Sequence, residues 1–147
     1  MKLIAIAFIT FFSTNVNWLG DFDAAKTQAV QQHKLIMVNF SGSDWCGPCI
    51  RLRKEILESA AFEAYAADHL VLVRADFPRQ KKNQLSKEQV KLNEALADKY
   101  NSEGKFPYTL LVDDTGKVLF QWDGFPDETP DQFVGQIDEI VQAKKGS

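Results

Sequence analysis

Cys46 and Cys49 are the only cysteines in the chain, and they stand three residues apart in Trp45-Cys46-Gly47-Pro48-Cys49. A multi-bridge scaffold is thereby excluded, and any intramolecular disulfide must join this pair. Closing so small a loop removes little entropy from the unfolded chain, so stapling is a weak reason for the pair and chemistry a stronger one. Thiols at i and i+3 of a helix face the same way and lie within bridging range. At a helix start, unpaired backbone N–H groups and the helix dipole stabilise an anion, which makes Cys46 the expected nucleophile, set on an exposed helix end. Cys49 falls one turn inward on a stripe with Leu52 and Ile56. Burial there disfavours its thiolate until it attacks a mixed disulfide, so it is the expected resolving thiol. Gly47 admits a close partner chain, and Pro48 removes a donor and stiffens the turn. Half of a zinc site is the competing reading. It needs two further ligands, and His33 and His69 flank the motif on opposite sides without the spacing of a ligand pair. Neither a metal nor an organic cofactor is expected.

The 147 residues suffice for one domain with a hydrophobic core, and 45% apolar with 25% charged residues is a globular composition. Seventeen basic against twenty acidic residues leave a net charge of −3. That balance lacks the basic excess of a nucleic-acid binder, so no nucleic-acid partner is expected. Met1-Lys2 is followed by an apolar run from Leu3 to Phe12, too short to span a bilayer, and then by Ser13-Thr14-Asn15. A positive start, an apolar middle and a polar end are the three regions of a secretory signal peptide. Residues 1–20 are therefore read as a signal peptide or N-terminal anchor and 21–147 as the folded domain of a periplasmic or secreted protein. No Ala-x-Ala fixes the cleavage point between Ser13 and Gly20. The alternative is a cytoplasmic protein that uses these residues as structure.

Beyond this segment helical and strand periods alternate, the signature of an α/β fold with helices packed on a sheet. A helix is expected over Asp21–His33, a buried strand over Leu35–Phe40, and a helix from the cysteines to about Ala60. A second strand follows over Leu70–Asp76, then a solvated loop over Phe77–Leu85. Ser86 with Gln89 reads as a capping box and Leu85 with Val90 as a hydrophobic staple, opening a helix that buries Leu92, Leu96 and Tyr100. Tyr108–Asp113 and Lys117–Trp122, joined around Asp114-Thr115-Gly116, form an expected hairpin. Thr129, Pro130 and Gln132 start a last helix whose apolar face is Phe133, Ile137, Ile140 and Val141.

Trp45 to Cys49 resembles the active-site motif of the thioredoxin superfamily, and the order of elements from Leu35 onward is similar, over about four-fifths of the chain. Phe40-Ser-Gly-Ser-Asp-Trp-Cys46 and Asp76-Phe-Pro-Arg79 are closer to exported bacterial thioredoxin-like proteins with a truncated N-terminal strand. The resemblance implies a thioredoxin-like fold: a central mixed sheet flanked by helices, with a C-terminal hairpin and helix. It implies that Pro107 is a cis-proline facing the thiols, leaving the Phe106 backbone free to pair with a bound peptide as an added strand. Trp45, Pro48, Phe106, Tyr108 and Gly124, with Phe125, would then form an apolar rim for polypeptide. The implied activity is thiol-disulfide exchange that reduces or isomerises protein disulfides, with Gly47-Pro48 resembling reductase members. The implied partners are disulfide-containing polypeptides and a thiol electron donor, in an oxidising compartment a membrane thiol carrier. A non-enzymatic peptide-binding module or holdase is the alternative. Two departures stand out. Asn39 or Phe40, depending on one gap, replaces the family's buried aspartate, and Tyr108 replaces the usual threonine after the proline. Asp44 is a candidate proton acceptor in place of that aspartate.

Overall fold

The computed structural model of the chain describes residues 16–147. The run Leu3–Phe12 and the start of the expected cleavage window lie outside the described residues. In chain order the elements are β1 (Trp18–Leu19), α1 (Phe22–Gln32), β2 (Leu35–Ser41), α2 (Gly47–Leu52), a π-helical turn (Arg53–Leu57) and α3 (Ala60–His69). These are followed by β3 (Leu70–Asp76), α4 (Lys87–Tyr100), β4 (Tyr108–Val112), β5 (Val118–Asp123) and α5 (Pro130–Lys145). Among the described residues the strands form one mixed sheet in the order β1-β3-β2-β4-β5. β3 runs parallel to β1 and β2, whereas β4 is antiparallel to both β2 and β5. The α/β architecture with a C-terminal hairpin and helix is the one expected.

β2 is buried along its whole length, as a central strand covered on both faces must be. Its side chains alternate between two cores. Leu35 and Met37 pack with Leu52, Ile56, Phe62, Phe133 and Ile137 beneath α2, α3 and α5. Ile36, Val38 and Phe40 pack with Ala25, Ala29 and Leu96 beneath α1 and α4, where two alanines let α1 lie close to the sheet.

Four local expectations are corrected. The helix expected to run from the cysteines to about Ala60 is divided. A π turn, marked by Glu58 N donating to Arg53 O at 2.8 Å, buries the successive residues Ile56 and Leu57. Ser59 then ends one helix and opens the next: its hydroxyl donates to Ile56 O at 2.6 Å and accepts from Phe62 N at 3.2 Å. The helix α3 that follows was not anticipated. Nor was β1, which pairs Trp18 with Leu72 and Leu19 with Val73, so the sheet takes in two residues that a division after residue 20 leaves to the leader. The Arg74 guanidinium stacks over Trp18 at 4.1 Å and helps to hold this short strand. On α4, Ser86 caps Gln89 N at 3.1 Å, but the Gln89 side chain turns to Gly20 O and Asn93 instead of closing the box. The helix is thereby rotated: Leu92 is 44% exposed, and Asn93 is buried in its stead, donating to Asp76 O at 2.9 Å. At α5, by contrast, Thr129 and Gln132 close both halves of the capping box.

Candidate active site

The chain leaves β2 at Ser41 and turns sharply before α2. Cys46 N donates to Gly42 O at 2.9 Å, and Asp76 at the end of β3 accepts from Ser43 N and its hydroxyl. Cys46 becomes the N-cap of α2, with an extended backbone and its Sγ accepting from Cys49 N at 3.3 Å. The Cys49 Sγ in turn accepts from Gly42 N at 3.5 Å. The two cysteines are joined in a disulfide, Cα to Cα 5.2 Å. Both sulfurs thus face backbone N–H groups, the environment that stabilises negative charge on a reduced Cys46. The helix end is exposed at Gly47 and Pro48, but Cys46 is only 5% exposed and Cys49 3%. In the bridged form the Cys46 sulfur lies against the Cys49 N–H, and the first cysteine is less open than the sequence suggests.

Around the bridge stands an aromatic rim. The Trp45 indole N–H donates to Phe77 O at 2.7 Å, and Phe106 meets both Trp45 and Phe77 edge-on with centroids 5.5 Å apart. Gly42 is required beneath it, since a Cβ there would run into the indole. The Phe106–Pro107 bond is cis. Pro107 O accepts from Gly124 N at 2.9 Å, and Gly124 has φ +88°, a conformation that favours glycine. Phe125 follows, half-buried beneath the Arg51 guanidinium at 4.2 Å. Trp45, Phe106, Pro107 and Gly124 are therefore gathered at the bridge end of the sheet. Tyr108 is placed differently. Its ring is buried, stacked at 6.2 Å on Phe40, and its hydroxyl donates to Gln121 at 2.7 Å, so it adds no exposed surface to the rim.

The register settles which residue lies on the α2 side of β2. Asn39 alternates with Leu35 and Met37 toward that core, is 3% exposed and donates to Thr109 Oγ1 at 3.1 Å. Phe40 points the other way. An amide does not titrate, so no carboxylate relay operates from this position. Asp44 does not replace it. One carboxylate oxygen accepts from Arg79 N and the other from Gln80 N, each at 2.9 Å, and the second also takes Asn83 Nδ2 at 3.0 Å. The Arg79 amide first, and the Asn83 side chain next, hold this carboxyl below the usual aspartate range against the opposing effect of desolvation. Asp44 is a clamp on the Phe77–Gln84 loop. Sequence reasoning missed it because its partners lie 35 to 39 residues onward.

His33 and His69 sit at the opposite end of the sheet, before β2 and β3 begin. There they line an open cleft of about 480 Å³ with Lys34, Leu35, Asp68 and Asp113. Neither approaches the cysteines.

Comparison with known proteins matches these features. A family model described as thioredoxin-like covers residues 17–113. The disulfide bond reductase DsbH of Chlamydia pneumoniae is 37% identical over 107 residues, 73% of this chain and 62% of that protein. Thioredoxin-related protein DsbJ of the same organism is 27% identical over 131 residues, 89% of this chain and 37% of that protein. The chain thus spans less than two-thirds of the length of either curated relative. A solved DsbH oxidoreductase superposes with a TM-score of 0.81 at 29% identity, covering 97% of this chain and 95% of that one. With its bridged Cys-Gly-Pro-Cys at the head of α2 and its parallel-then-antiparallel sheet, the chain belongs to the thioredoxin-like family.

Proposed function

We propose that this protein is a thiol-disulfide oxidoreductase working as a reductase of polypeptide disulfides. The observation that carries the reading is the Cys46–Cys49 bridge with the Cys46 sulfur at the N-cap, receiving the Cys49 N–H. In the reduced protein the Cys46 thiolate attacks one sulfur of a substrate disulfide. A mixed disulfide forms and the first substrate thiolate leaves. Cys49 loses its proton to solvent and attacks the Cys46 sulfur, which forms the internal bridge and releases the second substrate thiolate. Two electrons pass from the dithiol to the substrate, and a thiol donor returns them by the reverse exchange. Trp45 and the backbone of Phe106, the residue before cis-Pro107, receive the substrate strand, while Gly47 and Pro48 leave its approach open. The reductase named among the relatives favours this direction over oxidation.

The apolar run at Leu3–Phe12 directs export, with cleavage before Trp18 so that β1 stays in the sheet. In an oxidising compartment the electron donor is then a membrane thiol carrier. Insulin reduction with dithiothreitol as donor tests the chemistry. Cys46→Ser should abolish it, and reduced Cys49→Ala mixed with insulin in the absence of dithiothreitol should accumulate mixed disulfides, identifiable by mass; reduction surviving Cys46→Ser overturns the reading, and an unaltered protein that binds unfolded chain without accelerating reduction overturns it in favour of a holdase. Fractionating cells that carry a tagged full-length chain tests export separately, and recovery in the cytoplasm overturns that part alone.

A further inference from the structure

The loop after β3 carries Phe77-Pro-Arg-Gln-Lys-Lys-Asn-Gln84, three cations and no acid, in a chain whose net charge is −3. Its Arg79 guanidinium lies over the Trp45 indole at 3.7 Å. That ring is itself fixed, by its N–H to Phe77 O and by Phe106 against its edge. The loop backbone is fixed too, through the Asp44 clamp on the Arg79 and Gln80 amides. The Arg79 side chain therefore has a defined place on the ring of Trp45, the residue that precedes Cys46. Yet the residue is exposed, and while its backbone N–H goes to Asp44, its guanidinium makes no hydrogen bond among the described residues. Arg79, Lys81 and Lys82 take part in none of the ion pairs found there. Arg51 and Lys105, the other cations near the bridge end, are already paired with Glu55 and with Glu103 and Asp123. The Asp44 carboxylate, which could have neutralised Arg79, is turned to backbone and amide donors instead.

We propose that Arg79, stacked on Trp45 and held by the Asp44 clamp, is a specificity-determining residue that selects polypeptide disulfides flanked by an acidic side chain. The proposal rests on the oxidoreductase reading given above. A guanidinium suits the role because it stacks face-on to an aromatic ring and still offers forked donors to a carboxylate, which an ammonium does not do as well. Asp44 is a positioning residue that acts through Arg79. Lys81 and Lys82 add to the same positive field and speed encounter with an acidic segment.

The test uses the reduced full chain in single turnover with two disulfide peptides, identical except for Glu or Gln two residues from the target cysteine. The Glu peptide should react about two- to fivefold faster at low ionic strength, the range expected of one exposed charge pair, and added salt should close the gap. Arg79→Gln should bring the two rates together by slowing the Glu peptide, Arg79→Glu should reverse their order, and Arg79→Lys should restore part of the gap. Equal rates for the two peptides in the unaltered protein overturn the proposal. So does an Arg79→Gln variant that slows both peptides by the same factor, which would mean that Arg79 merely shields the bridge. If the unaltered reduced chain reacts with neither peptide, the oxidoreductase reading itself falls.

Discussion

Where β2 and β3 end and β4 begins, loops from four parts of the chain are tied together around a disulfide. Asp76 holds Ser43, Asp44 holds Arg79 and Gln80, Trp45 holds Phe77, and Pro107 holds Gly124. Where β2 and β3 begin and β4 ends, the molecule carries an open cleft of about 480 Å³ lined by two histidines and several acids. Among the described residues the lining of the roomier end includes no sulfur and no aromatic rim, whereas the crowded end has both. Thiol exchange needs no enclosed cavity. It needs one sulfur facing amide donors and a fixed surface on which a chain can lie, and tight loops supply these better than a hollow does.

Variants at the two ends should break or sharpen that contrast. The largest effect belongs to Cys46→Ser, which should reduce insulin-disulfide cleavage to the rate of dithiothreitol alone, since a hydroxyl is not ionised at neutral pH. His69→Ala at the far cleft should leave the cleavage rate unchanged; a large loss there would mean that the cleft takes part in the reaction. Next in size is Asn39→Ala. It leaves the buried Thr109 hydroxyl without its partner and should cost about 1–3 kcal/mol in urea unfolding, yet the pH dependence of cleavage should keep its shape because no proton is carried by an amide.

What could be read from the residues was local. The Cys46–Cys49 pair, the Thr129–Gln132 box and the hairpin at Asp114-Thr115-Gly116 each announce themselves within a few positions, and the structure has all three. Pro107 was legible only through the family likeness. What escaped depends on distant partners. Asn93 replaces Leu92 in the core because Asp76 O and Gln89 lie ready to satisfy its amide. Tyr108 turns from the rim because Phe40 and Gln121 receive it from behind. The alanine-rich α3 has too weak an apolar stripe to be seen, although Ser59 marks its start. Asp44 looks like a proton acceptor until the loop it clamps is in place.

Smaller effects separate the ends further. Thr129→Ala removes a complete cap from α5 and should cost about 1 kcal/mol in urea unfolding without slowing cleavage, since that helix start carries no sulfur. Asp44 should show itself by pH. Its carboxyl is held low in the folded chain, so the clamp is intact above the ordinary aspartate range and fails as pH falls through the lowered value. The amide proton shifts of Arg79 and Gln80 should titrate together below that range, and Asp44→Asn should abolish the titration. Amides that move independently, or that titrate as an ordinary aspartate would, contradict the clamp.

The most direct measurement is the rate at which iodoacetamide alkylates each cysteine of the freshly reduced chain as a function of pH. The account predicts that Cys46, at the N-cap of α2, reacts rapidly at acidities where glutathione is still mostly protonated, and that Cys49 lags far behind. Two cysteines that react alike, and only in step with glutathione, would contradict it.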